Sequence, residues 1–478
     1  MKTEKLNLSF SLKFAFGFGQ LAEGLIDGVI RILLLFYFNQ VLGLSASLCG
    51  IALLIATIVD AVTDPMMGTI SDNWRSRWGR RHPFMYASVL PASGFLFLLF
   101  NPPVLTEGAL FGWLTVFVVL TRVGQSLYHV PHLALGAELS SDFDERTQLA
   151  SFRMVFGVAG SLLVAVGFAN FFAPTDAFPN GQLNPENYPI FISFAALGVL
   201  VSILASSLGT QSVVPYLPVP SDAQASTGNG VAKIVRDIWD SVSNRSFRWL
   251  VLAFITAGIP GGIGSAFGLY VNTFFWKLTP SQVSLLLIAG AVATFAGYLI
   301  APVAGRFMEK KTVMIWGMFA WAMGTSLPIL LHFAGLFPLQ GTTTAFVLLF
   351  GFAVVTGLGL AQLIVAVSSM MADVADEFEL ETGRRNQGVF FGAFSVCAKA
   401  SGGTGVAVGG LMLDLIDWPT GAAVETAADV PPEVLTHLAL LAGPLVAGCF
   451  VPFYLCIRNY DISRARFHEI RQSLDTGR

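Results

Sequence analysis

Charged residues are scarce in this chain of 478 residues, at 12% of the total, whereas soluble proteins average about 25%. Cysteine is scarce too: the four cysteines lie in apolar segments without metal-ligand spacing, so neither a disulfide framework nor a zinc site is expected. The net charge of −3 gives no reason to expect a nucleic-acid partner. What the chain has instead is 54% hydrophobic residues, 48 glycines and 41 phenylalanines. This composition predicts an all-α membrane protein in which small residues let helices approach closely.

Apolar windows of the length that crosses a bilayer recur about twelve times along the chain. The predicted segments are 10–38, 46–71, 82–101, 107–137, 149–172, 188–210, 248–276, 281–306, 312–332, 342–372, 386–416 and 433–457. We therefore expect twelve transmembrane helices in a cell (inner or plasma) membrane. The N-terminus is polar and leads into a charged segment, so we do not expect a cleavable signal peptide.

The loops between these segments alternate in charge. Arginine and lysine occupy every second loop and the tail, whereas the loops at 39–46, 101–107, 173–187, 333–341 and 417–432 contain neither. Lys277 is the one exception on that side. Because basic loops stay on the cytoplasmic side, this pattern predicts that both termini are cytoplasmic.

The longest connection, residues 211–247, divides the segments six and six. We expect an N-terminal half at 1–210, a cytoplasmic linker at 211–247, a C-terminal half at 248–458 and a cytoplasmic tail at 459–478. A weak repeat supports two related halves: Pro65–Gly68 is predicted to end the second helix before a basic turn, and Pro302–Gly305 is predicted to end the eighth helix before another. Two six-helix halves with a binding site between them form the major facilitator arrangement.

Two carboxylates at the end of the second apolar segment are the strongest chemical signal. Asp60 and Asp64 are one helical turn apart and share a face. Carboxylates at membrane depth are costly and usually face a bundle interior or an aqueous cavity. They suit a hard cation such as Na⁺, which prefers oxygen ligands. They also suit a proton, because two close carboxylates raise the pKa of one of them. The plainer alternative is an ion pair with a basic residue that only joins helices.

Two long motifs carry a family resemblance. The first comprises Asp60, Asp64-Pro, Gly68, Ser71-Asp72 and Arg75-Ser-Arg-Trp-Gly-Arg80, and the second comprises Met371-Ala-Asp-Val-Ala-Asp376, Glu381, Gly383-Arg384, Gly388, Phe394 and Lys399. Together they resemble the glycoside–pentoside–hexuronide:cation symporters, the family of the melibiose carrier. A related animal branch carries lysophosphatidylcholine with sodium.

The resemblance implies a transporter without covalent chemistry, hence no enzyme, and no cofactor beyond a coupling ion, Na⁺ or H⁺. The implied partners are a small-molecule substrate, the coupling cation and the lipid bilayer, and we expect a monomer. The implied cation ligands, with Na⁺ as the metal held by the two carboxylates, are Asp60, Thr63, Asp64 and Ser126. In this family the lysine that matches Lys399 lies near both cation and substrate, and Arg153 matches an arginine near the sugar.

Polar stripes identify further candidates for solute binding. Glu23, Asp27 and Arg31 recur every fourth residue on the first segment, and Arg122, Ser126 and His129 share a face on the fourth. Alternatively, the first stripe forms an internal ladder of ion pairs. The second then holds polar side chains that satisfy backbone groups at a helix kink. The full predicted substrate set is Glu23, Asp27, Arg122, His129, Arg153, Tyr270, Asn272, Gln362 and Lys399.

The chain departs from the sugar carriers at both of their sugar-binding acids, where it has Gly24 and His129. With those acceptors lost and arginines retained, the pattern favours an anionic or zwitterionic solute, such as a uronide or a lipid headgroup. Overall we predict a symporter of a sugar derivative, a glycoside or uronide, that works by alternating access. The alternatives are a sodium-coupled lysophospholipid carrier and, more remotely, a non-transporting sensor, which would not need the cation carboxylates.

Charged residues near the expected cytoplasmic face are predicted to act as gates through ion pairs between the halves; the alternative is that they are solvated loops. The predicted gating residues are Asp72, Arg75, Arg77, Asp142, Asp373, Glu381 and Arg384. Glycines and a proline at 258–264 are predicted to interrupt the seventh segment, either for binding or as a packing bend.

Overall fold

A computed structural model describes residues 8–140, 142–176, 178–217, 243–382, 387–421, 424 and 426–476. This part of the chain is helical and contains no strand. Its α-helices are α1 (Phe10–Phe18), α2 (Gln20–Val29), α3 (Ala46–Asn73), α4 (His82–Leu99), α5 (Glu107–Leu139), α6 (Phe143–Phe171), α7 (Asn187–Thr210), α8 (Arg245–Tyr270), α9 (Pro280–Phe307), α10 (Lys310–Phe333), α11 (Thr343–Thr382), α12 (Gln387–Leu415), α13 (Pro432–Leu440), α14 (Val446–Gly448), α15 (Phe450–Ile457) and α16 (Arg464–Thr476).

Eleven helical spans within the described residues are long and apolar enough to cross a membrane. Ten contain a single long helix, α3 to α12, and the eleventh, Pro432–Ile457, comprises α13, α14 and α15 with a π-helical turn at Leu441–Leu445. The first predicted segment, 10–38, is helical too, but it is built from pieces: α1 and α2 meet at Gly19, and π-helical turns follow at Ile30–Leu34 and Tyr37–Val41. With this divided segment, the structure accounts for all twelve predicted spans. The prediction of an all-α membrane protein is confirmed.

Three local expectations were wrong. Helix α11 runs to Thr382, well past the predicted end at 372, because no glycine or proline intervenes before residue 383. The repeat around Pro65 does not end α3, which continues to Asn73. Residues 258–264 do not interrupt their segment either, because α8 runs through them as far as Tyr270.

The described helices form two compact units, one within Met1–Gly230 with Thr420–Ala422, the other within Val231–Pro419 with Ala423–Arg478. In the first unit α2 packs against α6 and α7, while α5 packs against α3 and α4. In the second, α8 packs against α12 and α15, and α11 packs against α9 and α10. The helices that carry the predicted cation and solute residues of the first unit, α2, α3, α5 and α6, are therefore packed neighbours.

Glycines set the closest helix contacts in both units. A Cβ on Gly24 of α2 would lie 2.1 Å from the Gly157 carbonyl oxygen of α6. A Cβ on Gly262 of α8 would lie 2.3 Å from the Gly402 carbonyl oxygen of α12. Both contacts are to backbone, so a side chain could enter only if a helix moved. Gly24 and Gly262 therefore allow these helix pairs to approach closely.

Candidate functional site

The polar stripes of α2 and α5 face each other and are joined by an ion pair. Arg122 Nη1 lies 2.6 Å from Asp27 Oδ1. The same nitrogen donates to Gln125 Oε1 at 2.9 Å, and Gln125 Nε2 donates to Asp27 Oδ1 at 3.3 Å. The Asp27 carboxylate is therefore held by two donors from one face of α5. Its side chain keeps 34% of its surface exposed, so the pair lines an accessible space.

One turn earlier on α2, a second contact joins the same helices. Glu23 Oε2 lies 2.7 Å from His129 Nδ1 and also accepts a hydrogen bond from Gln20 Nε2. Gln20 Oε1 in turn accepts from Arg153 Nε of α6 at 3.1 Å. The chain of contacts therefore runs from His129 through Glu23 and Gln20 to Arg153, and it joins three helices.

The predicted cation ligands on α3 and α5 come together. Ser126 Oγ donates to Asp60 Oδ1 at 3.1 Å, and Thr63 Oγ1 lies 3.4 Å from Ser126 Oγ. Thr63 Oγ1 also lies 3.3 Å from the Asp60 carbonyl oxygen. Asp64 lies one turn along α3 and is half-buried, like Asp60. Carboxylate, hydroxyl and carbonyl oxygens thus converge here, and these are the ligands that a hard cation prefers.

Gln20 and Gln125 belong to this network but were missed at the sequence level. Their positions carry a usable signal, since Gln20 precedes Glu23 by three residues and Gln125 follows Arg122 by three. Each therefore extends a polar stripe that had already been recognised. No group of three or more His, Cys, Asp or Glu side chains that could hold a metal ion occurs in the described part of the chain.

The predicted residues of the second unit lie in different surroundings. Tyr270 is fully buried, with its ring centroid 5.4 Å from that of Trp418. Gln362 donates from Nε2 to the Gly297 carbonyl oxygen at 3.0 Å, so it bridges α11 and α9. Asn272, on the π-helical turn that follows α8, and Lys399, on α12, are both half-buried. Their predicted roles in solute binding stay predictions.

At the arginine-rich turn of the first unit, the central residue is one that the sequence did not single out. Arg81 pairs with Asp72 and lies 2.8 Å from Glu138 Oε1, and it donates to Ser71 Oγ at 2.7 Å. Arg80 Nη2 also lies 2.8 Å from Glu138. These contacts fasten the ends of α3 and α5 to the turn before α4.

The other gating candidates of this unit are more exposed. Arg75 and Arg77 are exposed, and Arg77 lies over the Trp78 ring at 5.5 Å. Asp142 caps α6 by accepting hydrogen bonds from the amides of Asp144 and Glu145 at 3.0 and 3.1 Å. For Asp142 a structural role in the helix terminus is therefore visible, and a role in gating stays a prediction.

The second unit has its own ion pairs at the corresponding place. Lys310 Nζ lies 2.6 Å from Asp373 Oδ2, and Arg471 of the tail helix α16 lies 3.0 Å from the buried Asp376. Glu381 is exposed near the end of α11. Arg384 lies outside the described residues. The tail residue Tyr460 donates to the Met370 carbonyl oxygen at 3.4 Å, and burial raises the pKa of its phenol well above the usual value, so it remains a donor.

Known proteins show where this architecture belongs. The family model described as MFS/sugar transport protein matches residues 15–464. The putative glycoside/cation symporter YagG of Escherichia coli is 26% identical over 98% of this chain and 95% of its own length. The glucuronide carrier protein homolog of Escherichia coli is 23% identical over 98% of the chain and 96% of its own length. The isoprimeverose transporter of Lactiplantibacillus pentosus is 22% identical over 84% and 80%.

Solved structures agree on the fold. A mutant of the nucleoside transporter NupG superposes with a TM-score of 0.69 at 14% identity, over 94% of this chain and all of its own. The xylose transporter XylE of Escherichia coli superposes with a TM-score of 0.58 at 15% identity, over 95% and 98%. The predicted major facilitator fold is confirmed, and with it the expectation of a transporter rather than an enzyme. The chain belongs to the MFS/sugar transport protein family.

Proposed function

We propose that the chain is a cation-coupled symporter of a sugar that bears a carboxylate, such as a uronide, and that it works by alternating access. The curated relatives support this class, since one is named as a putative glycoside/cation symporter and another as a glucuronide carrier homolog. We further propose a monomer with both termini in the cytoplasm.

The observation that carries the proposal is the shared face of α5. Arg122, Ser126 and His129 lie at spacings of four and three, so they project from one side of the helix. Ser126 contacts Asp60 in the cation group, and its neighbours contact Asp27 and Glu23 in the solute group. A cation that attracts the Ser126 hydroxyl therefore exerts a force on α5, the helix that positions the solute ligands. This arrangement gives the two binding events a physical means of coupling.

Arg153 favours an anionic solute. Within the described part of the chain it makes one hydrogen bond, from Nε to Gln20, and no ion pair with a carboxylate. Its Nη atoms are therefore available to a ligand, and a guanidinium presents a planar fork that matches a carboxylate. Glu23 and Asp27 supply acceptors for sugar hydroxyls from the neighbouring helix. The proposed site thus offers a donor for the acid group and acceptors for the ring.

Uptake in proteoliposomes tests the proposal. Labelled glucuronide, a neutral glucoside and lysophosphatidylcholine are each offered under an imposed Na⁺ gradient, an imposed H⁺ gradient, and neither. We expect gradient-driven accumulation of the glucuronide and competition by other uronides. Accumulation of the neutral glucoside alone would leave the sugar contacts with Glu23 and Asp27 and remove the role of Arg153. Transport of the lysolipid alone would replace the proposal with the lysophospholipid alternative.

A further inference from the structure

A single amide group separates two opposite charges where α2 meets α6. Gln20 lies at the start of α2, and its Nε2 donates to Glu23 Oε2 one turn further along that helix. Its Oε1 accepts from Arg153 Nε of α6 at 3.1 Å. Arg153 is within electrostatic range of Glu23, yet no ion pair joins them in the described part of the chain. The Gln20 amide thus lies between two groups that attract each other.

The two contacts of Gln20 fix the orientation of its amide. A carboxylate can only accept hydrogen bonds, so the amide nitrogen must face Glu23. A guanidinium can only donate, so the amide oxygen must face Arg153. An amide satisfies both partners at once, whereas a carboxylate at this position would present a like charge to Glu23. Glutamine therefore matches the chemistry of both neighbours.

The stem of Gln20 packs against a glycine of α6. A Cβ added to Gly157 would lie 3.2 Å from Gln20 Cγ, which is closer than ordinary van der Waals contact. Gly157 follows Arg153 by one helical turn, so both lie on the face of α6 that meets α2. The Gly157 carbonyl oxygen also approaches Gly24, one turn beyond Gln20. The close approach of the two helices therefore determines where the amide meets Arg153.

This arrangement leaves part of each charged group for a ligand. Glu23 Oε2 contacts both Gln20 and His129 Nδ1, the latter at 2.7 Å, and Oε1 has no such contact among the described residues. Arg153 uses Nε for Gln20, and its Nη atoms make no hydrogen bond within the same part of the chain. The Glu23 side chain is 23% exposed, so a solute can reach this group. An acceptor and a forked donor thus coexist although their charges are opposite.

We propose that Gln20 is the positioning residue that sets the preference for an anionic sugar, because it keeps Arg153 from pairing with Glu23. A charge-assisted hydrogen bond is roughly twice as strong as a neutral one. A guanidinium released from Gln20 therefore turns to the nearby carboxylate, and a solute carboxylate has to compete with Glu23 for it. The inference rests on the proposed symport of a uronide and identifies the residue that keeps the acid-binding fork open.

Binding of two matched solutes tests this role. Dissociation constants of methyl glucuronide and methyl glucoside, which differ only at the carbon that carries the acid, are measured on purified protein at neutral pH. Their ratio gives the preference for the acid. Gln20→Ala should lower this preference at least about tenfold, the effect of losing a hydrogen bond between charged groups. Gln20→Met, which keeps the stem against Gly157, should lower it as well. The matched control is Gln148→Ala, which removes an exposed amide of α6 that accepts from Lys13 at 2.8 Å and should leave the ratio at the wild-type value.

A second substitution separates positioning from helix packing. Glu23→Gln removes the carboxylate with which Arg153 would pair. Adding Gln20→Ala to this variant should therefore change the ratio by less than about twofold, the limit for residues that do not act on each other. A glutamine that only joined α2 to α6 would weaken binding of both solutes together, with or without the Glu23 carboxylate.

Two results would overturn the inference. If Gln20→Ala and Gln20→Met keep the wild-type ratio while Arg153→Gln lowers it, Arg153 binds the acid without help from Gln20. If Gln20→Ala lowers the ratio equally with and without the Glu23 carboxylate, Gln20 does not act through that carboxylate. Failure of the proposed function gives a different result, because wild-type protein would then bind the glucuronide no more tightly than the glucoside and Arg153→Gln would change nothing.

Discussion

Glu23 Oε2 lies 2.7 Å from His129 Nδ1, and this contact joins α2 to α5 within the proposed solute site. Glu23 thus presents a carboxylate beside an imidazole, where it can accept hydrogen bonds from sugar hydroxyls. Glu23→Gln should therefore weaken solute binding by at least about tenfold, a cost of about 1.4 kcal/mol. Equilibrium binding of labelled solute checks this, with Glu107→Gln at an exposed helix start as the control. Unchanged affinity would remove Glu23 from the site.

The Arg122–Asp27 pair should show energetic coupling. Arg122→Gln leaves the Asp27 carboxylate without its counter-charge, and Asp27→Asn leaves the Arg122 guanidinium without one. Each single variant should therefore lose more free energy of unfolding than the ion pair contributes. The double variant should recover part of this, with a coupling energy of about 1 kcal/mol. Thermal unfolding in detergent of wild type, the two single variants and the double variant gives the four stabilities of this double-mutant cycle. Strict additivity would show that the 2.6 Å contact contributes nothing to stability.

Gly24 lies where α2 approaches α6 too closely for a side chain. A Cβ there would lie 2.1 Å from a backbone oxygen of α6, so Gly24→Ala should destabilise the protein by about 1–3 kcal/mol. Gly94→Ala is the matched control, because no atom lies within 4 Å of its added Cβ, and it should stabilise its helix by roughly 0.5–1 kcal/mol. Melting temperatures that move in the same direction would contradict the close approach.

Arg81 should matter more than the arginines that the motif emphasises. Arg81→Gln removes ion pairs to Asp72 and Glu138 together and leaves the largely buried Glu138 with Arg80 alone. It should lower both stability and transport rate, whereas Arg77→Gln, at an exposed position, should change stability by no more than about 0.5 kcal/mol. Unfolding curves and initial uptake rates of the two variants decide this. Equal effects of the two variants on stability and uptake rate would contradict this prediction and favour gating by the exposed arginines of the loop.

Much of the architecture could be predicted because it depends on lengths and periods. Apolar windows gave the spans, and the i,i+4 spacing placed Asp60 with Asp64 and Glu23 with Asp27. Contacts between helices were harder to predict from the sequence. The bond between Ser126 and Asp60 was reached through the family resemblance, and the pairing of Glu23 with His129 depends on which faces of α2 and α5 meet.

The missed residues share a physical reason. Gln20 and Gln125 carry no charge, so the energetic cost of a charge at membrane depth could not identify them. Arg81 and Glu138 lie in different segments, and only the packing of α3 against α5 brings their partners together. The end of α11 was placed too early because charged residues were read as loop, whereas the backbone continues as helix until Thr382.

Coupling of a cation to the solute through the group of Asp60, Thr63 and Ser126 can be measured by recording two activities of the same variant. Proteoliposomes that contain wild-type protein, Asp60→Asn or the exposed loop variant Asp176→Asn are given labelled uronide, and both gradient-driven accumulation and solute exchange are recorded. We expect that Asp60→Asn loses accumulation under every cation gradient while exchange persists, and that Asp176→Asn behaves as wild type. Accumulation by Asp60→Asn at the wild-type level would contradict it.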